Sequence, residues 1–487
     1  MIVLNSNSVV PLYLQIYEQI KKSIVSGELS EGSKLYSTRS LATSLNVSRN
    51  TVESAYLQLC SEGYIKSKAG SGFIVEKLDS MLIAKLKREP SINIEKYKTK
   101  LSDVNYDNNY KYNFKYGDLS ASDFPLSLWK RISNKCLASI DAEMMTSYTN
   151  NKGEKELRIE IIDYLNKSRG VSCTTEQIII TSGFEQCLSL LCQMFRNTSS
   201  KIAVEDPGYR GVKEILYNHG FDVVPISLEK DGINLKELES CSAKVVYVTP
   251  SHQFPTGSVM PIQKRLQLLD WARRVNGIII EDDYDSEFRY NSRPIPSIQG
   301  VDSKDYVVYI GTFSKSLSPS LRLNYMILPQ SLLERYDKLF STYQTSVPIV
   351  EQKIIQQFMH LGHWESHLRK ISLKNKRRHD ILIHSINEFM GDNVIIHGKN
   401  AGLHVLLEVN NGLSEEELIE KAKEYGVLVY PVSIFWLQKD KYTNNMVFIG
   451  FGRMTESEIT EGIQLLNKAW FSKNKRIKLL KKQSLKE

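Results

Sequence analysis

Lys315 stands between two serines in GTFSKSLSPSLR (311–322), shortly after the apolar run Tyr306–Ile310. A primary amine at a strand end can condense with a carbonyl group. Asp282 closes the apolar run in GIIIEDDYDSEF, 33 residues earlier. A carboxylate there can keep a ring nitrogen protonated, which makes the ring an electron sink. Asp283 is the neighbouring alternative, but strand alternation turns it the other way. Tyr284 can donate to a phenolic oxygen on such a ring. Tyr209, in VEDPGYRGV, follows a Pro-Gly turn and can stack on it.

An anion site accompanies these groups. TSGFEQCL (181–188) reads as strand, tight turn and helix. Ser182, Gly183 and Phe184 then present backbone N–H groups at a helix start, where anions are favoured. Thr312 and Ser314 add hydroxyls, and Arg322 adds a bidentate cation. The ligand that would use all of them is a phosphorylated pyridine aldehyde, pyridoxal 5′-phosphate (PLP), held as a Schiff base on Lys315. Singly, each motif has a plainer reading: a surface lysine, a solvated loop, a helix cap, a packed tyrosine. What carries the PLP reading is their joint occurrence, in order, each at the carboxyl end of a predicted strand.

The elements that position them follow from the pattern of residues 113–470. Apolar β-type runs recur at Gln177–Thr181, Ile202–Val204, Val223–Ile226, Val245–Thr249, Gly277–Glu281, Tyr306–Gly311 and Tyr325–Leu328. Helical stretches such as Glu185–Phe195 and Ile262–Val275 lie between several of them. This alternation predicts an α/β fold, a mostly parallel sheet covered by helices. Ligands on such sheets bind at the strands' carboxyl ends.

Residues 1–78 follow a different pattern. Leu12, Ile16, Ile20 and Ile24 fall at helical spacing behind Pro11. Ser37 is placed to cap a second helix through Leu45, and Ser48 a third. Val52, Ala55, Tyr56, Leu59 and Cys60 form one face of that third helix. Ile65–Lys68 and Phe73–Val75 flank Ala69-Gly70-Ser71-Gly72 as a hairpin. The order is that of a winged helix-turn-helix, whose third helix enters the DNA major groove by its N-terminal residues. Those are Ser48, Arg49, Asn50 and Thr51. Arg can pair with guanine and Asn with adenine. Arg39 is placed for a phosphate, and Gly70 lets the wing approach closely. The plainer alternative is a small helical interaction domain.

Composition is compatible with both units. Of 487 residues, 41% are hydrophobic and 24% charged, so most of the chain should fold, in more than one domain. No apolar run approaches the roughly 20 residues of a membrane span. No signal peptide is visible. Six scattered cysteines lack metal-ligand spacing and suit a reducing cytoplasm. Residues 79–112 read as a linker rich in Lys, Asp, Asn and Tyr. The tail 471–487 is basic, with seven Lys/Arg and one Glu; it reads as a solvated end, or more sharply as a nucleic-acid contact.

The stretch SRNTVESAYLQLCSEGYI resembles the recognition-helix pattern of GntR-type winged-helix proteins, with Tyr36 where a proline usually precedes the second helix. The pieces ITSGFEQCL, VEDPGYRG, VTPSHQFPTG, IIEDDYDSEF and GTFSKSLSPSLR resemble the fold-type I aminotransferases. The combination resembles the MocR/GabR family of bacterial transcription regulators. The resemblance implies that Lys315 carries PLP, that Asp282 partners its ring nitrogen and that Arg453, in FIGFGRM, grips a substrate carboxylate, with Arg210 a second candidate. It also implies a head-to-tail homodimer on double-stranded DNA. Phe254 stands where aminotransferases commonly have an asparagine bonded to the ring oxygen; His252 or Gln253 is expected to compensate. The reading is a PLP-dependent regulator that senses an amine effector bearing a carboxylate, through an external aldimine. The alternatives are an active aminotransferase with an incidental head, or a sensor of PLP itself that controls vitamin B6 synthesis.

Overall fold

The computed structural model describes residues 2–5, 8–70, 72–79, 110–290 and 295–472. Most of the segment read as a linker, Ser71 of the wing, and all of the basic tail beyond residue 472 lie outside the described residues. By spatial proximity the chain divides into two units, Met1–Val104 and Asn105–Glu487.

In the first unit, α1 (Leu12–Ser26) starts behind Pro11 and buries Ile16, Tyr17, Ile20 and Ile24. The spacing puts these four on one stripe. α2 (Thr38–Leu45) is capped by Ser37, whose side chain accepts from the Ser40 N–H. Asn46, left-handed at φ 53°, ends it, a conformation that asparagine tolerates. Ser48 then caps α3 (Arg49–Ser61) by accepting from the Thr51 N–H. α3 buries Val52, Ala55, Tyr56 and Leu59 against the rest of the unit. β1 (Ile65–Lys68) and β2 (Gly72–Val75) form the antiparallel wing. Tyr36 is mostly exposed, and its carbonyl accepts from the Tyr56 hydroxyl at 2.9 Å. The entry to α2 is therefore tied to α3 without a proline.

The second unit opens with β3 (Tyr112–Asn113). Its main sheet uses β4 (Ile178–Thr181), β5 (Lys201–Asp206), β6 (Asp222–Glu229), β7 (Gly232–Ile233), β8 (Val245–Val248), β9 (Ile278–Asp283), β10 (Val307–Thr312) and β11 (Asn324–Ile327). The order is β4-β11-β10-β9-β8-β5-β6-β7. From β10 through β9, β8 and β5 to β6 every pairing is parallel, while β11 and β7 run the other way. β4 and β8 are buried along their whole length. That is why these strands read as unbroken apolar runs rather than alternating ones. The fold is thus the expected helix-covered α/β sheet.

A second, smaller sheet was not read from the sequence. β12 (Val394–His397), β13 (His404–Val409), β15 (Tyr430–Pro431) and β16 (Met446–Gly450) are antiparallel, in the order β12-β13-β16-β15. Between them, β14 (Val427–Leu428) pairs with β3. Helices His363–Phe389 and Glu456–Phe471 share a core with the strands, around Ile386, Val405, Val447 and Ile463.

Candidate functional site

Three consecutive acids end β9, and the pleat separates them. Glu281 accepts from the Ile298 and Gln299 N–H groups at 2.8 and 2.9 Å. Asp283 is held by Arg169 at 2.7 Å and accepts from the Tyr309 hydroxyl at 2.6 Å. Burial works to raise its pKa, but Arg169 and these donors outweigh it and hold it below the usual range. Asp282 faces the other way, into a cavity of about 360 Å³ at the carboxyl ends of β8, β9 and β10. Burial pushes its pKa up to about 7, against the pull of the Tyr247 hydroxyl, which donates to it. A cation at that carboxylate would restore full ionisation.

Lys315 reaches the same cavity from the loop after β10. Its Nζ lies 4.2 Å from the centre of the Tyr116 ring, a cation–π distance. Burial pulls its pKa down, against the opposing charges of Asp285, Asp118 and Asp282. Among the described residues no hydrogen bond or ion pair engages the amine. Gly117 lines the cavity beside it at φ +105°, a backbone conformation that favours glycine.

Tyr284, Tyr209, Phe184, Thr312, Ser314 and Arg322 also line the cavity. Thr312 donates to Asn324 Oδ1 at 3.1 Å and accepts from the Ser314 N–H at 3.0 Å. Gly183 caps the helix Phe184–Phe195 at φ 97°. A Cβ at Gly183 would collide with the Arg322 guanidinium, so only glycine lets that cation lie against the helix start. Ser182 is not in the lining; its N–H donates to Gln186 Oε1 and Ser346 Oγ at 2.7 and 3.1 Å.

The two arginines read as effector ligands stand apart from this lining. Arg453 is half-exposed and lies 3.5 Å from Asp118. Arg210 pairs with Glu214 at 2.6 Å and lines a neighbouring cavity. That second cavity shares only Tyr209, Tyr247 and Thr249 with the first.

Phe254 lines the first cavity and sits in an aromatic cluster with Phe435, Phe448 and His404. The expected compensation from its neighbours takes another form. Gln253 spends its amide on the Pro207 and Phe254 carbonyls at 2.9 and 2.6 Å. His252 is buried, 2.9 Å from Asp285 and 3.0 Å from the Tyr284 hydroxyl. Neither lines the cavity; His252 meets it through Tyr284, which does.

Sequence reasoning missed Tyr247, Tyr116, Asn324 and Glu185 in this lining. Tyr247 sits inside the apolar run of β8 and reads there as core. Glu185 lies in a stretch that was singled out, but only for its backbone.

The geometry fits PLP: an amine with no hydrogen bond or ion pair among the described residues, a buried carboxylate on the same cavity, and a glycine-backed arginine at a helix start. In the first unit, Arg39, Ser48, Arg49, Asn50 and Gly70 are exposed and Thr51 is half-buried.

Fold and site define an aminotransferase-like unit behind a winged-helix head. Residues 115–466 match aminotransferase class I and II, and residues 12–75 match the bacterial regulatory proteins of the gntR family. Over 467 residues the chain is 40% identical to the uncharacterized HTH-type transcriptional regulator YdeL of Bacillus subtilis, covering 96% of this chain and 98% of YdeL. It is 30% identical to the probable rhizopine catabolism regulatory protein MocR of Rhizobium meliloti, covering 97% and 96%. A kynurenine aminotransferase of Pyrococcus horikoshii, solved in complex with PMP, superposes with a TM-score of 0.67 at 25% identity, over 79% of this chain and 95% of that one. The chain belongs to the MocR/GabR family of GntR-type regulators, in which a DNA-binding head is fused to an aminotransferase-like PLP unit. No helix among the described residues is long and apolar enough to cross a membrane.

Proposed function

We propose that this protein is a transcription regulator that uses Lys315 as the covalent anchor for PLP and answers to an amine effector. The observation that carries the reading is the buried Lys315 amine, without a hydrogen bond or ion pair among the described residues, in the cavity that Asp282 enters. When bound, PLP supplies an aldehyde that exchanges between primary amines and a ring that withdraws electrons. The lowered pKa of Lys315 leaves more of its amine uncharged and nucleophilic. Asp282 would hold the proton on the ring nitrogen, and Tyr284, whose hydroxyl donates to the His252 carbonyl at 2.9 Å, would turn that donor toward the ring oxygen. Tyr209 covers the ring. Thr312, Ser314, the N–H groups at Gly183 and Phe184, and Arg322 would hold the phosphate, whereas the Ser182 N–H is already given to Gln186 and Ser346.

An effector bearing an amine and a carboxylate competes with Lys315, and Arg453 or Arg210 takes the carboxylate. Such an effector shifts the heads only by its differential affinity for their arrangements. The linker at 79–112 suits a head-to-tail homodimer whose two heads read paired half-sites. Ser48, Arg49, Asn50 and Thr51 address the bases, Arg39 a phosphate and Gly70 the wing contact. DNA affinity should then fall steeply with salt, and the working compartment is the cytoplasm, where the DNA lies.

The test is the visible spectrum of the PLP-loaded protein beside its DNA affinity. Lys315→Ala should remove the visible band and leave specific DNA binding intact; an unchanged spectrum overturns the assignment. One observation favours a second reading, in which PLP itself is the signal. Arg453 and Arg210 are each paired with an internal carboxylate, outside the cavity lining. Titrating DNA affinity against PLP alone, then PLP with amines, separates the two.

A further inference from the structure

The candidate phosphate cradle contains an acid. Glu185 lines the Lys315 cavity from the first turn of the helix Phe184–Phe195. Its carboxylate pairs with Arg322, the arginine expected to hold the phosphate. Both groups lie over Gly183: a Cβ there would collide with the Arg322 guanidinium and sit 3.1 Å from Glu185 Oε2. The ion pair therefore occupies the ground where the helix start, the glycine and the arginine converge.

This arrangement has two consequences for a phosphorylated ligand. The side chains of the pair are 51% and 56% exposed, so the pair itself is weakly held and easily opened. Opening it does not remove the charge. Glu185 is rooted in the first helical turn and stays within a few residues of the same N–H groups. A phosphate monoester carrying about −1.5 to −2 charges would face that carboxylate across a short, partly solvated gap. Like charges at such range oppose one another. The helix N-terminus and Arg322 attract both anions, so the two compete for one set of donors.

We propose that Glu185 is an internal competitor for the phosphate cradle. It weakens PLP binding selectively through the phosphate and keeps cofactor occupancy exchangeable. This rests on the PLP reading above and deepens it: an exchangeable cofactor lets the cavity report PLP supply as well as an effector amine.

The experiment titrates the full-length apoprotein with PLP and, separately, with pyridoxal, which has the ring and aldehyde but no phosphate. Binding is followed by visible absorbance. Glu185→Gln should tighten PLP binding by about tenfold, with pyridoxal binding unchanged. Glu185→Ala should tighten PLP binding likewise, which separates charge from the geometry of the glutamine side chain; circular dichroism checks that both variants fold. Equal PLP constants in wild type and Glu185→Gln, or weaker binding in the variant, overturn the proposal while the cofactor reading stands. An equal gain for pyridoxal overturns it too, because the effect is then not at the phosphate. No saturable binding of either ligand by the wild type refutes the cofactor reading, and this proposal with it.

Discussion

The two functional regions are built in opposite ways. On α3 the residues proposed to read DNA are consecutive and largely exposed, and they contribute little to the core beneath them. In the Lys315 cavity the groups come from segments between Tyr116 and Asn324, and Asp282, Tyr247 and Phe254 are buried. A surface reader separates function from stability, whereas a buried cavity couples them, because each group placed there is also desolvated. Substitutions should therefore change binding alone in the first region, and binding together with stability in the second.

Asp282→Asn is the strongest test of that coupling. It keeps the shape and removes the charge. Losing a buried partner for the ring nitrogen should weaken PLP binding by about 3 kcal/mol, read as the PLP dissociation constant. The apoprotein should show the opposite effect. Burial raises the folded-state pKa of Asp282 from 3.8 to about 7. A raised pKa contributes stability that is complete below about pH 4 and lost as pH rises through about 7. Asparagine has no such loss, so the apo variant should melt above wild type at pH 8, with the gap closing toward pH 4. Glu205 and Glu281, also raised to about 7, and Glu287, raised to about 8, slope the same way in both proteins. Equal melting curves at pH 8 would break the link between site and stability.

Arg49→Ala tests the other half. Its guanidinium is exposed and approaches Glu53 only at 4.0 Å. If it reads a base edge, the loss should be about 1–3 kcal/mol on specific DNA, with the melting temperature of the protein unchanged. Equal losses on specific and random DNA would mean a phosphate contact instead. A fall in melting temperature would put Arg49 in the packing of the head.

The same contrast explains what the sequence could disclose. Consecutive motifs were readable: the caps at Ser37 and Ser48, the apolar stripe of α1, and the loop carrying Lys315 all depend on neighbours in the chain. The main sheet was readable because its buried strands are continuous apolar runs. Partners across the fold were not. Nothing local tells that Tyr247 will meet Asp282, or that Tyr116, some 200 positions earlier, will lie under the Lys315 amine. The smaller sheet escaped for a related reason: its central strands, β13 and β16, pair across a long stretch of chain, and β15 has only two residues. Arg453 and Arg210 show the limit in the other direction. The family resemblance suggested that they bind a ligand's carboxylate, and each has found a carboxylate within its own chain.

Arg453 belongs to the large unit by sequence but to the surface class by environment, so it sharpens the comparison. Its side chain is 49% exposed and its pairing with Asp118 is long, at 3.5 Å. Such a pair contributes about 0–1 kcal/mol, so Arg453→Ala should hardly move the melting temperature or the PLP constant. If an effector carboxylate displaces Asp118 from Arg453, the variant should lose the effector-induced change in DNA affinity while keeping the visible band. Asp118→Asn should do the reverse and strengthen the response, because it frees the guanidinium without removing it. A response that survives Arg453→Ala unchanged places the carboxylate elsewhere, and the neighbouring cavity with Arg210 is then the next position to vary.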